Sequence, residues 1–250
     1  MGDQKTTEKV LISDENVGVT YTMGAFWKKT YYTPIEGISF DVISGQNLGI
    51  IGRNGAGKST LLRLLAGIIL PDEGRIIKGP EVSVSMLVAN AGFDPFISGR
   101  DNIYLAGMIF GLGRKDLDEK MPRILEFAGI GDWIDKPLRT YSSGMVARVG
   151  FSLSLEMTPD VLLIDEAMGA GDENFRKKAR TRLLKKIKSD QTTVIVSHDL
   201  DILADLCSRV IWIHEKHIVM DDDPKKVTEE YLKTTGEQKT RKKYGILKEN

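Results

Sequence analysis

Short apolar runs and helical stripes alternate along this chain. Val17 to Tyr21 and Ile38 to Val42 read as strands, the second with period-two alternation. Between them, residues 22–34 hold Trp27, Lys28, Lys29, Tyr31, Tyr32 and Pro34 and read as a loop or hairpin tip. Asn47 to Ile51 is a short apolar strand that runs into a glycine cluster beginning at Gly52. Leucines at 61, 62, 64 and 65 have the spacing of a buried helix over 59–69, which Pro71 ends. Gly74 to Lys78 and Val82 to Val88 predict further strands.

From residue 90 to 158 the texture turns helical. Ser98-Gly-Arg-Asp101 is a capping-box pattern ahead of the apolar run Ile103 to Phe110. Leu117, Met121, Ile124 and Leu125 give a second stripe, with Pro122 set against it, and Ser143 to Leu155 a third helix. Val161 to Ile164 is a continuous apolar run of the buried-strand kind. Phe175, Ala179, Leu183 and Ile187 mark a long helix whose other face is crowded with Lys and Arg: a solvated face, or one that meets a membrane surface or a partner. Thr193 to Val196 and Val210 to Ile213 read as strands on either side of a helix at 199–207, and the last eighteen or so residues as a basic helix or tail. This alternation predicts an α/β fold.

Composition adds bounds. A chain of 250 residues with 41% hydrophobic residues buries roughly 70% of its extended surface and needs no staple. Lys and Arg number 35 against 35 Asp and Glu, so bulk charge gives no case for nucleic acid. One Cys forms no internal disulfide and no zinc site by itself, which fits a reducing compartment. The most apolar stretch, Leu61 to Leu70, is interrupted by Arg63 and is too short to span a bilayer, and the first ten residues carry no apolar segment of a secretory signal. Any link to a membrane is therefore expected to run through a partner.

Gly52-Arg-Asn54-Gly55-Ala56-Gly57-Lys58-Ser59, followed by Thr60, matches the phosphate-binding P-loop, with a strand before it and a helix after. Its glycines let backbone N–H groups turn toward phosphate oxygens, Lys58 reaches the β- and γ-phosphates, and Ser59 ligates Mg²⁺. About 107 residues later, Val161-Leu-Leu-Ile164-Asp165-Glu166 is an apolar strand ending in two carboxylates. Asp165 suits a Mg²⁺-holding role, and Glu166 the polarising of an attacking water. Tyr141-Ser142-Ser143-Gly144-Met145 opens the third helix, with Ser142 as an N-cap and Gly144 leaving the helix start open to a phosphate.

The order P-loop, helical insert, S-x-G at a helix start, apolar strand with Asp-Glu, then His198 resembles the nucleotide-binding subunit of an ABC transporter, over residues 17–220. The resemblance implies a P-loop NTPase cassette with a mixed core sheet, an N-terminal antiparallel β subdomain and a helical signature subdomain. It divides the chain into a core at 10–89 and 159–220, the helical part at 90–158, and a C-terminal helix and tail at 221–250. It assigns Tyr21 to stacking on adenine, although a half-buried strand aromatic is the plainer alternative. It assigns Ser142, Ser143 and Gly144 to the γ-phosphate of ATP held by an opposite subunit, Asp172 to the dimer interface, and His198 to the γ-phosphate. His198 out of context would read as a surface or capping residue.

The family usually places a Gln after the strand at 82–88. This chain has none there, and Asn90 is the nearest amide, a weak candidate for the metal. The signature, usually L-S-G-G-Q, reads Y-S-S-G-M here. These departures, with Ala91-Gly92-Phe93, Gly99-Arg-Asp-Asn-Ile-Tyr104 and the aromatic insert at 22–34, resemble the branch that exports polysaccharides and polyol phosphates such as O-antigen, capsule and teichoic acid. Some members carry an added C-terminal glycan-binding domain, which is not expected in this chain. The resemblance implies an ATPase using ATP and Mg²⁺ at the cytoplasmic face of the cell membrane. It also implies a second copy docked head to tail, an integral membrane permease on a separate chain, and no nucleic acid. The alternatives are an ATPase of another transporter type, a soluble ABC ATPase acting on DNA or the ribosome, and a non-hydrolysing cassette.

Overall fold

In the computed structural model, which describes residues 9–24, 27–87, 92–165 and 172–236, the chain begins with strands β1 (Val10–Met23), β2 (Thr30–Ile43) and β3 (Asn47–Ile51). Helix α1 (Lys58–Leu65) and strands β4 (Glu73–Lys78) and β5 (Val84–Leu87) follow, then helices α2 (Gly99–Ile109), α3 (Arg114–Ala128) and α4 (Ser143–Glu156). The chain continues through β6 (Val161–Ile164), α5 (Glu173–Ile187), β7 (Thr192–Val196), α6 (Leu200–Leu206), β8 (Arg209–His214), β9 (His217–Asp222) and α7 (Pro224–Thr235). It divides into two units, residues 1–80 with 192–250, and residues 81–191.

The first unit holds an antiparallel sheet in the order β2-β1-β4 and a mixed arrangement in which β7, β3, β8 and β9 are neighbours in that order. β1 is far longer than its apolar signal, because register shifts at Asp14/Val17, Val17/Val19 and Val19/Tyr21 break the alternation that marks a strand. Asn16, at φ 52°, supplies the local turn of that bulge. The apolar residues Ile12, Val17 and Val19 of β1 and Ile35, Ile38, Phe40 and Val42 of β2 are buried. β3 runs parallel to both β7 and β8. All of β7 and four residues in β3 are buried, which is why they read as continuous apolar runs. Because β3 and β7 run parallel, the loops that follow them, with the glycine cluster from Gly52 and with His198, leave the same end of the strands.

The second unit pairs β5 parallel to β6 and packs α2, α3 and α4 around Ile103, Leu117, Ile124, Val149 and Leu153. Ser98 caps α2, accepting from the Asp101 N–H at 3.0 Å, as the capping-box pattern predicts. α3 runs unbroken through Pro122. The missing N–H removes one bond, while Leu117, Met121, Ile124 and Ala128 keep the face buried. On α5 the buried residues are Phe175, Ala179, Leu183 and Ile187, the predicted stripe. Its basic face also meets helix ends. Lys178 lies over the Phe127 ring, 4.4 Å from its centroid, and points at the Glu126 and Phe127 carbonyls that end α3. Lys186 donates to Leu155 O at 2.9 Å and to Met157 O, at the end of α4. Both place an ammonium on the negative end of a helix. Among the described residues no helix is long and apolar enough to cross a membrane.

One buried acid stands out. Asp14 on β1 is 2% exposed, and neither carboxylate oxygen has a hydrogen-bond partner. Burial, with the charge of Asp41 adding to it, pushes its carboxyl up to about 7. Asp41 itself accepts from Ser13 Oγ at 2.5 Å through its carboxylate, and its backbone carbonyl accepts from Arg209 Nη1 at 2.9 Å. A carboxyl raised above its unfolded value of 3.8 contributes stability that is complete below that value and is lost as pH rises through about 7. Asp14→Asn, neutral at every pH, is therefore expected to match the wild type near pH 4 and to exceed its melting temperature by several degrees at pH 8, measured by calorimetry.

Candidate nucleotide site

The phosphate loop lies in the first unit, between β3 and α1. Gly52, Gly55 and Gly57 take φ of 156°, 82° and 97°, values that residues with a Cβ rarely adopt. A Cβ on Gly57 would meet Pro34 O at 2.5 Å and Ile35 Cγ1 at 2.8 Å, so the loop rests directly on β2. Gly57 is also the N-cap of α1, and its carbonyl accepts from Leu61 N at 2.9 Å. The N–H groups of Lys58, Ser59 and Thr60 belong to the first turn, where a helix supplies no acceptors of its own. Together with the helix dipole they form an anion site. The Lys58 side chain is buried and curls back, its ammonium donating to Gly52 O at 2.7 Å and Arg53 O at 3.1 Å. A positive charge is thus already held over the loop. Ser59 is exposed and Thr60 buried.

A depression of about 720 Å³ opens beside the loop, lined by Arg53, Asn54, Gly55 and Ala56, by His198 after β7, and by Tyr32, His214, Lys216 and Tyr231. His198 is exposed there. Tyr21 pairs with Tyr32 across the β1–β2 ladder. Tyr21 is not among the lining residues, and its phenol oxygen is buried without a partner. Tyr32 instead reaches the loop, its hydroxyl donating to Gly55 O at 3.1 Å.

The second unit carries the other motifs. Ser142 caps α4, accepting from Met145 N at 3.2 Å, and Ser143 is exposed in the first turn. A Cβ on Gly144 would find only Ser142 Oγ within 4 Å, at 3.8 Å, so this helix start is open. Beside it lies a cavity of about 400 Å³ lined by Ser142, Gly144, Met145, Arg148, Trp133, Ile130, Gly129 and Asp172. Both carboxylate oxygens of Asp172 are engaged: one accepts from Phe175 N at 2.9 Å as the cap of α5, the other pairs with Arg148 of α4. The Tyr141 ring meets Trp133 edge-on at 6.2 Å and its hydroxyl donates to Trp133 O. That packing accounts for an aromatic residue ahead of Ser142. Asp165 follows the fully buried strand β6. Glu166 and Asn90 lie outside the described residues.

Comparison with known proteins decides the family. The ABC transporter family model matches residues 35–169. The chain belongs to the ABC transporter family. ABC transporter protein AbcA of Aeromonas salmonicida is 38% identical over 86% of this chain and 70% of its own length. O-antigen export system ATP-binding protein RfbB of Klebsiella pneumoniae is 45% identical over 74% of this chain and 75% of its own. Teichoic acids export ATP-binding protein TagH of Lactococcus lactis subsp. lactis (strain IL1403) is 39% identical over 80% of this chain but only 42% of its own length. A dimeric ATP-binding cassette solved with ADP and phosphate after hydrolysis shares the fold, with a TM-score of 0.68 at 20% identity, over 86% of this chain and 99% of that one. The protein is accordingly an ATPase cassette of the ABC family with the α/β fold its sequence implies.

Within this cassette the first unit brings Asn54, Gly55 and Ala56 of the P-loop and His198 to one depression, whose lining does not include Lys58, Ser59 or Thr60, and the second brings Ser142, Gly144 and Asp172 to another. Tyr32, His214, Lys216, Tyr231, Trp133 and Arg148 line these sites without a motif to flag them. For Tyr32 the usable signal is the β1–β2 pairing, which places it opposite Tyr21. The loop geometry makes a graded prediction. Gly57→Ala drives a methyl into Pro34 O and is expected to weaken ATP binding at least about tenfold. In Gly55→Ala the new Cβ meets nothing within 4 Å, so only the strain of a left-handed φ remains, about 1–3 kcal/mol. Titration with a fluorescent ATP analogue ranks the two.

Proposed function

We propose that this cassette is the ATP-hydrolysing subunit of an exporter that moves a polysaccharide or teichoic-acid-like polymer across the cytoplasmic membrane, with a separate integral membrane chain forming the path. The observation that carries the ATP reading is the phosphate loop itself: glycines at positive φ with Gly57 packed against β2, an open α1 N-terminus, and the Lys58 ammonium poised on Gly52 O and Arg53 O. Lys58 leaves those carbonyls for the β- and γ-phosphates. His198, exposed at the same depression, is assigned the γ-phosphate. Glu166 is assigned the orienting of the attacking water, and Tyr21 the adenine. Positioning and charge stabilisation then do most of the catalysis. Ser59, exposed on the first turn of α1, and Asp165, at the end of β6, are hard oxygen donors that fit magnesium, with Asn90 the nearest amide to the usual Gln position. When bound, the ion would neutralise phosphate charge.

Two copies are proposed to dock head to tail, each ATP lying between the P-loop of one and Ser142, Ser143 and Gly144 of the other. The α4 N-terminus at Gly144 supports this role: Ser142 takes up only the Met145 N–H, and the other first-turn N–H groups lie at a start with open space around Gly144, free for a phosphate. ATP then favours the closed pair through its contacts with both copies, and loss of the γ-phosphate releases it. Asp172, held by Arg148, sets the edge of that interface. The cargo reading is supported by the relatives named for O-antigen and teichoic acid export and by the resemblance of the 91–104 and 141–145 segments to that branch. Co-purification of a polytopic membrane protein with the chain separates this reading from a soluble ATPase.

Two variants test the chemistry. Lys58→Ala is expected to lose at least about tenfold in ATP affinity, the worth of a hydrogen bond to a charged group; equal binding in a titration contradicts the P-loop assignment. Glu166→Gln is expected to retain ATP binding, to run as a stable dimer with ATP by sedimentation, and to lose most turnover; undiminished phosphate release would remove Glu166 from the mechanism.

A further inference from the structure

The aromatic and basic segment ahead of the P-loop has a residue that reaches the loop. Tyr32 stands on β2 two residues before Pro34, the residue whose carbonyl backs Gly57. Its hydroxyl donates to Gly55 O at 3.1 Å. The next N–H along, that of Ala56, donates to Arg53 O at 3.1 Å. In a trans peptide the carbonyl and the following N–H point in opposite directions. The Gly55–Ala56 peptide is therefore held at both edges, its carbonyl toward β2 and its N–H toward Arg53 O. Arg53 O is also the oxygen that takes the Lys58 ammonium, so the N–H edge is the lysine side of the loop. Gly55 has a φ of 82° and no Cβ, so without those two bonds no side chain of its own would stop this peptide from rotating. Rotation would turn a carbonyl toward the lysine side, where it opposes phosphate oxygens.

We propose that Tyr32 is a positioning residue of the nucleotide site: its hydroxyl holds the Gly55 carbonyl against β2 and so keeps that oxygen away from the lysine side of the loop, where it would oppose the phosphates. The inference rests on the ATP reading above. It acts through the loop and not through the base, so it applies to any ligand with a polyphosphate chain.

The test compares ATP with inorganic tripolyphosphate, which has neither base nor ribose, on the full chain and on Tyr32→Phe, which keeps the ring and removes the hydroxyl. Both ligands are expected to bind the variant about three- to tenfold more weakly, the range of one neutral hydrogen bond. The melting temperature should stay unchanged, and in turnover assays KM for ATP should rise by more than kcat falls. Equal affinities in variant and wild type overturn the proposal while leaving the ATP reading intact. Weakened ATP with unchanged tripolyphosphate also overturns it, because the phenol would then touch the nucleoside directly. A wild-type chain that binds neither ligand overturns the ATP reading itself, and the proposal with it.

Discussion

The site depends on how closely one glycine approaches a strand. Gly57 lies against Pro34 O with no room for a methyl group, at a backbone angle that suits glycine. That contact fixes where α1 begins and therefore where its unsatisfied N–H groups point. It also puts Lys58 within reach of Gly52 O and Arg53 O, so the charge over the loop is set before any ligand arrives. β2 acts here as a wall, and the antiparallel sheet that carries it is part of the site's machinery. The buried Asp14 on neighbouring β1 shows that this sheet tolerates an unpaired acid in its interior, at a pH-dependent cost in stability.

Much of the architecture was legible because apolar residues repeat with the right period. The four buried positions of α5 are those of the predicted stripe, and the fully buried strands β6 and β7 read as uninterrupted apolar runs. Where the structure differs, a specific interaction outweighs the local pattern. β1 extends from Val10 to Met23 because bulges absorb the broken alternation around Asn16. Its partner β2 begins at Thr30, within the segment expected to form a loop or tip, because Tyr31 and Tyr32 find partners in Thr22 and Tyr21. α3 passes through Pro122 on the strength of its buried face. β9 gave no signal because it alternates at an exposed edge. The P-loop and signature were legible as motifs, since glycine spacing is a local demand. Tyr32, Trp133 and Arg148 were not, because their places at the sites come from pairing and packing with distant residues.

The two units divide the motifs between them. One carries the phosphate loop and His198, the other the open α4 N-terminus and the carboxylate strand. The departures from the usual family pattern have physical sense where the structure describes them. Tyr141, standing where leucine is usual, packs on Trp133 and satisfies its carbonyl, so the signature helix starts from an aromatic platform. Part of the basic face of α5 is taken up with helix ends and with Glu156, through Lys178, Lys186 and Arg182. That reduces the charge left over for a membrane or a partner. The family, the fold and the loop thus agree on an ATPase, and the polymer it serves is the proposal that reaches beyond them.

The most direct measurement of that proposal is made in the organism that carries the chain. The gene is removed, and cell-surface and intracellular polymer are quantified with and without the wild-type chain restored. The account predicts surface polymer lost, lipid-linked polymer accumulating inside, and export recovered when the chain is returned. Polymer reaching the surface at its normal level in the absence of the chain would contradict it.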